Sequence, residues 1–218
     1  MATVAGTTQP DAAVEMHGIS WNTYENLTRD LEDSSVPRLF YDRGVLEILS
    51  PSRERQQYNR NLAFFVAIVA DELGIELLDR GSTTYSRQDL LRGFEPDSSF
   101  YIRNADQIDC KRTLDLAIDP PPDLIIEVDI TSSSVNKEAV YAAIGIPEVW
   151  RCSNGKVAIL ILDPLIGTYR RADSSRALPI LSDVAISDLL EQSMSLKRTA
   201  WLKKIKDWVG NARLRGEL

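Results

Sequence analysis

The chain has a single histidine, His17, and only two cysteines, Cys110 and Cys152, in 218 residues. So few of either leaves no disulfide framework, no thiolate zinc site and no His-rich metal centre. A Ser-His-Asp triad built on His17 would have to come from the N-terminal segment, which reads as unstructured, so nucleophilic catalysis of that type is a poor match. Long apolar runs are also missing; the longest, Leu62 to Ala70, falls far short of a membrane span. Met1 to Ala13 has neither a basic start nor an apolar core, so the expectation is a cytoplasmic protein without a secretory leader. No glycine-rich phosphate loop and no regular βαβ alternation occur, which argues against a dinucleotide-binding fold. Basic residues are outnumbered, and the net charge of −7 speaks against strong constitutive nucleic-acid binding while leaving room for a local basic groove.

What remains is carboxylate, lysine and arginine chemistry, with hard cations such as Mg²⁺ as partners. The composition, 44% hydrophobic and 26% charged, is that of a globular domain with a real core. The expected division is an unstructured segment over residues 1–18, a core domain over 19–195 and a C-terminal amphipathic helix over 196–218. Ser20 reads as the cap of a first helix, with Trp21, Tyr24, Leu27 and Leu31 on one face. Arg38 to Asp42 and Val45 to Leu49 flank Asp42-Arg43-Gly44 as a hairpin. Gln57 to Leu73 is the clearest helix, ended by Gly74. A second hairpin is expected across Ser153-Asn154-Gly155. The order of elements predicts an α+β fold with a mixed central sheet flanked by helices.

The organising stretch is Pro120 to Lys137. Leu124 to Ile130 is short, β-branched and apolar, the pattern of a buried strand, and it carries Glu127 and Asp129 two residues apart on one face. A carboxylate in mid-strand needs a partner. Either an arginine or lysine holds Glu127 in the core, or a metal ion does. Pro96 places Asp97 at the start of a neighbouring strand, and Lys137 enters the following helix. Two carboxylates from adjacent strands can hold Mg²⁺, with water and a phosphate oxygen completing the shell. Without the ion they repel, so replacing one is expected to leave stability unchanged or higher. A lysine at a helix N-terminus opposes the dipole, which argues for a specific role for Lys137.

These residues resemble the signature of the PD-(D/E)XK nuclease superfamily. More closely, the chain is similar to the Uma-type restriction endonuclease family. The resemblance spans Trp21 to Trp208. It is carried by Leu46-Glu47-Ile48-Leu49-Ser50-Pro51, by Arg92-Gly93-Phe94-Glu95-Pro96-Asp97, by Pro122-Asp123-Leu124-Ile125-Ile126-Glu127, and by Lys137 followed by Tyr141 and Gly145-Ile146-Pro147-Glu148-Val149-Trp150.

The resemblance implies a restriction-endonuclease-like fold and Mg²⁺- or Mn²⁺-dependent hydrolysis of DNA. It implies Asp97 and Glu127 as metal ligands, with Lys137 as the catalytic ammonium. Glu47 is a secondary acidic candidate, and Asp129 either coordinates a second ion or repels the first. A homodimer is expected, because two strands must be cut. Two departures stand out. Asp129 occupies the place of the superfamily lysine, and Arg53, Glu54 and Arg55 stand where relatives often carry a histidine. The rival reading is a catalytically silent DNA- or protein-binding relic, of mobile-element origin; a third is a nuclease acting on RNA or single-stranded ends.

Trp201, Ile205, Trp208 and Ala212 form one helical stripe, expected to be buried in the domain or across a dimer, with Lys203, Lys204, Lys206 and Arg213 on other faces.

Overall fold

The computed structural model describes residues 11–31, 34, 36–111, 113–129 and 136–215. The order of elements is β1 (Ala12–His17), α1 (Trp21–Asp30), β2 (Arg38–Asp42), β3 (Val45–Ser50), α2 (Arg53–Leu73), β4 (Leu78–Asp79), β5 (Tyr85–Arg87), β6 (Arg92–Phe94), β7 (Ser98–Tyr101), α3 (Ala105–Ile108), β8 (Leu124–Asp129), α4 (Lys137–Ile144), β9 (Glu148–Ser153), β10 (Lys156–Asp163), β11 (Thr168–Ala172), α5 (Asp183–Ser195) and α6 (Arg198–Leu214). The fold is α+β, as expected, but its strands form two sheets rather than one.

The six-stranded sheet runs β11-β10-β9-β8-β7-β4 and is mixed: only β8 and β9 are parallel, joined through α4. The second sheet, β1-β3-β2-β6-β5, is antiparallel throughout. Part of it lies in the segment expected to lack structure. Residues 12–17 pair along the whole of β3, although every one of them is exposed. The strand is placed by its pairing with β3, and an exposed edge leaves no apolar alternation in the sequence. Residues 1–10 lie outside the described residues.

Strand β8 explains how the core and the site share one element. Leu124, Ile126 and Val128 face a core built with α2, α5 and α6. Ile125 faces the other way, into a cluster with Phe40, Phe94, Tyr141 and Val149. Glu127 follows Ile125 by two residues and shares that second face.

The capping expectations hold: Ser20 accepts from the Thr23 amide, and Gly74 ends α2 in the left-handed region. Helix α2 starts a turn earlier than its apolar periodicity implies, because Ser52 caps it. Trp201 and Ile205 of α6 are buried and Trp208 partly so, all against the same core as α2 and α5. The indole of Trp201 donates to the Leu189 carbonyl at 2.7 Å. The C-terminal stripe therefore packs into its own domain. Among the described residues no helix is long and apolar enough to cross a membrane.

Candidate active site

Asp97 and Glu127 are brought together by strand register. β7 and β8 pair antiparallel with Ser98 opposite Ile126, and the Asp97 amide donates to the Ile126 carbonyl at 3.1 Å. The ladder ends at that pair, and Asp97 lies immediately before it, its carboxylate brought beside that of Glu127. Both are almost fully buried.

Their partner is Arg55, in the first turn of α2. Its Nη2 donates to Asp97 Oδ2 at 2.7 Å and to Glu127 Oε2 at 3.2 Å. Two carboxylate oxygens thus converge on one cationic nitrogen. Nε of the same guanidinium donates to Asp97 Oδ1 at 3.1 Å, and Nη1 to Asp11 Oδ2 at 3.2 Å. Asp11 is itself fixed by the Ser52 amide, which donates to Oδ1 at 2.7 Å. Arg38, at the head of β2, adds a further hydrogen bond to Asp97 Oδ1, and the Val128 amide donates to Oδ2 at 2.8 Å. Burial pulls the Arg38 pKa down, and nearby Glu127 opposes that shift.

Helix α4 supplies the other wall. Asn136 caps it, accepting from the Ala139 amide. The Lys137 ammonium then stands 3.4 Å from Glu47 Oε1 and 3.9 Å from Glu127 Oε2, over the Phe40 ring at 5.6 Å. Tyr141 donates its hydroxyl to Glu127 Oε1 at 2.8 Å. Burial and the adjacent Glu127 push that hydroxyl well above its ordinary pKa, so it stays a donor. Glu47 comes from the middle of β3 and is buried. Asp129 stands apart from the pair, with its Oδ2 3.7 Å from Arg151 Nε. Burial first, and Glu127 second, raise its pKa.

Of the residues expected at the site, Asp97, Glu127, Glu47 and Lys137 converge from four elements, while Asp129 lies at the margin. Of the partners left open for Glu127, arginine and lysine are in place, and the repulsion behind the expected gain in stability is opposed within the Asp97–Glu127 pair. Arg55 and Arg38 neutralise it, and these two arginines, with Asp11 and Tyr141, were not read as site residues from sequence. One signal was available: a cation in the first turn of α2 opposes the helix dipole just as Lys137 does in α4. Arg80, Arg87 and Arg92, which lie between α2 and β7, bind the Ile108 and Lys111 carbonyls, Asp89 and Asp42 respectively. A separate cavity of about 690 Å³ is lined by Tyr24, Arg80 and Glu95, but by none of the converging carboxylates.

A Mg²⁺ ion suits this donor set in chemistry: hard carboxylate oxygens, already gathered about a positive charge. Among the described residues no group of three or more His, Cys, Asp or Glu is placed to hold a metal. Mg²⁺ commonly takes only one or two carboxylates, completing its shell with water and phosphate oxygen. The seat between Asp97 and Glu127 is held by the Arg55 guanidinium.

The mixed α+β fold is shared with a solved structure. A crystal structure described as a putative nuclease belonging to DUF820, from Anabaena variabilis, shares the fold. It aligns with a TM-score of 0.53 and 14% identity, over 79% of this chain and 99% of that one. The profile of the Uma2 family, described as "Putative restriction endonuclease", matches residues 21–195, and the chain belongs to that family. No curated protein matches the chain.

Proposed function

We propose that the chain hydrolyses phosphodiester bonds in DNA at the Asp97–Glu127 site, with Mg²⁺, or Mn²⁺ in its place, as cofactor. One observation carries this reading: Asp97 Oδ2 and Glu127 Oε2, from two strands, meet at a single cationic nitrogen, with the Lys137 ammonium 3.9 Å from the same Glu127 oxygen. When bound, the ion would polarise the phosphoryl group and favour hydroxide over water as the attacking species. Every other part is played by the chain. The Val128 amide and Arg38 fix the Asp97 carboxylate, and Tyr141 fixes the oxygen of Glu127 that points away from the seat. Lys137 supplies positive charge toward the oxygens on which negative charge grows. Cutting both strands of a duplex requires two such sites, which a homodimer provides.

A second reading, a catalytically silent nucleic-acid- or protein-binding relic, is favoured by the hydrogen bonding of Asp97. Both of its oxygens already accept from arginine. The two readings separate on supercoiled plasmid incubated with Mg²⁺ or Mn²⁺. Under the nuclease reading the wild type nicks or linearises it, and Asp97→Asn and Lys137→Ala each lower the rate by about 100-fold or more. Absence of cleavage by the wild type with either ion, alongside retained binding to DNA, makes the relic the better account.

A further inference from the structure

We propose that Arg55 is the resident cation of the Asp97–Glu127 pair, and that a divalent ion enters only by displacing its guanidinium toward Asp11. The inference rests on the reading of this pair as an ion site.

The geometry leaves no room for both. Nη2 lies within hydrogen-bond distance of both carboxylates that would hold an ion, at Asp97 Oδ2 and Glu127 Oε2. An ion seated between them would meet a buried positive charge at contact distance, in surroundings that screen it poorly. Protein charge also already suits the site without an ion. Asp11, Glu47, Asp97 and Glu127 are met by Arg38, Arg55 and Lys137, through contacts that interlock the seven side chains. That near balance weakens the pull on a free cation.

The structure also contains the place to which the guanidinium would withdraw. Asp11 accepts from Nη1, on the side away from the bridging contacts, and is tied to the Ser52 amide at the cap of α2. Arg55 belongs to the first turn of that helix. Acceptor and arginine are therefore anchored to one rigid element, and a change of side-chain torsions moves the guanidinium without moving the helix. Arg38 does not compete, because it binds Asp97 Oδ1 and leaves the bridging oxygen alone. On this account β1, which delivers Asp11, is part of the site although all its own residues are exposed.

The test is Mn²⁺ binding at pH 7, read from the free-ion electron paramagnetic resonance signal, for metal-free wild type, Arg55→Ala and Arg55→Ala/Glu127→Gln. The expected result is that Arg55→Ala binds Mn²⁺ at least about tenfold more tightly than the wild type, and that the added Glu127→Gln abolishes the gain. Arg55→Ala binding no tighter than the wild type overturns the proposal. Should Arg55→Ala not fold, Arg55→Gln removes the charge while keeping a hydrogen-bonding group, and the same comparison applies. In the wild type, Mg²⁺ titration should shift the Arg55 Nε–H resonance; saturation with that resonance unmoved also overturns it. Plasmid cleavage is scored separately. A wild type that cleaves, with no tightening in Arg55→Ala, sinks the exchange and leaves the nuclease reading standing. Tightening without cleavage by any variant does the reverse.

Discussion

Lys137 and Tyr141 stand one turn apart on α4 and reach the two oxygens of one carboxylate, the ammonium 3.9 Å from Glu127 Oε2 and the hydroxyl 2.8 Å from Oε1. Residues four apart share a helix face, so a single short helix grips both sides of Glu127. Tyr141→Phe keeps the ring, which packs edge-on against Phe40 and Phe94, and removes only the donor. The expected loss is about 1.5–3 kcal/mol in urea denaturation, the range for a buried hydrogen bond to a charged group. A loss below about 0.5 kcal/mol would mean that water replaces the hydroxyl.

Asp97→Asn is a sharper test of the pairing than of catalysis. Two bare carboxylates would repel, and removing one would stabilise the fold. Here Arg38 and Arg55 both rely on Asp97, whose side chain is fully buried. Taking away its charge leaves two buried guanidinium groups undercompensated, for an expected destabilisation of roughly 3–5 kcal/mol. Equilibrium denaturation measures it directly. An unchanged or raised midpoint would show that the arginines turn outward to solvent, and the network described above would be wrong.

The Arg38–Ser50 hairpin, α2 with its glycine stop, and the place of Asp97 just before a strand were legible because each depends on near neighbours: a turn, a periodicity, a proline. The second sheet was not, since β5 and β6 are three residues each and β1 has no buried side chain to mark it. Arg55 escaped for another reason. Its partners lie 42, 44 and 72 residues away in sequence, and nothing local distinguishes a guanidinium that folds inward from one that stays in water. The choice left open for Glu127, arginine and lysine or a metal, could be narrowed only by seeing side chains of α2 and α4 reach its carboxylate.

Thiol chemistry offers a check on the core. Cys152 is buried in β9, and burial pushes its thiol up to about 12. At pH 8 only about one molecule in ten thousand then carries the reactive thiolate. Cys110 is exposed. Iodoacetamide at pH 8 should add a single mass increment to the native protein, at Cys110, and two in denaturant. Raising the pH toward 10 should speed the native reaction of Cys152 far less than unfolding does. Rapid double labelling of native protein would show that β9 opens more readily than its place in the middle of the sheet implies.

Gly93 and Tyr24 test the second sheet, the part of the fold least visible in sequence. Gly93 lies in β6 opposite Tyr41 of β2, and the Tyr24 ring from α1 stacks on Tyr41 with centroids 4.9 Å apart. A Cβ on Gly93 would come within 2.1 Å of the Tyr24 hydroxyl oxygen and 2.6 Å of Cζ, separations that van der Waals radii forbid. The ring cannot simply swing aside, because Tyr24 is almost fully buried and Trp21 packs against it at 5.1 Å. Gly93→Ala should therefore lower stability by about 1–3 kcal/mol, the usual range for overpacking. Tyr24→Ala alone should lower it by about 3–5 kcal/mol through the cavity it leaves. The two losses should not add. With the ring gone the new methyl has space, so the double variant should be no less stable than Tyr24→Ala, a coupling of about 1–3 kcal/mol. Strict additivity in urea melts would mean that α1 does not lie over β6, and the packing of the antiparallel sheet would have to be redrawn.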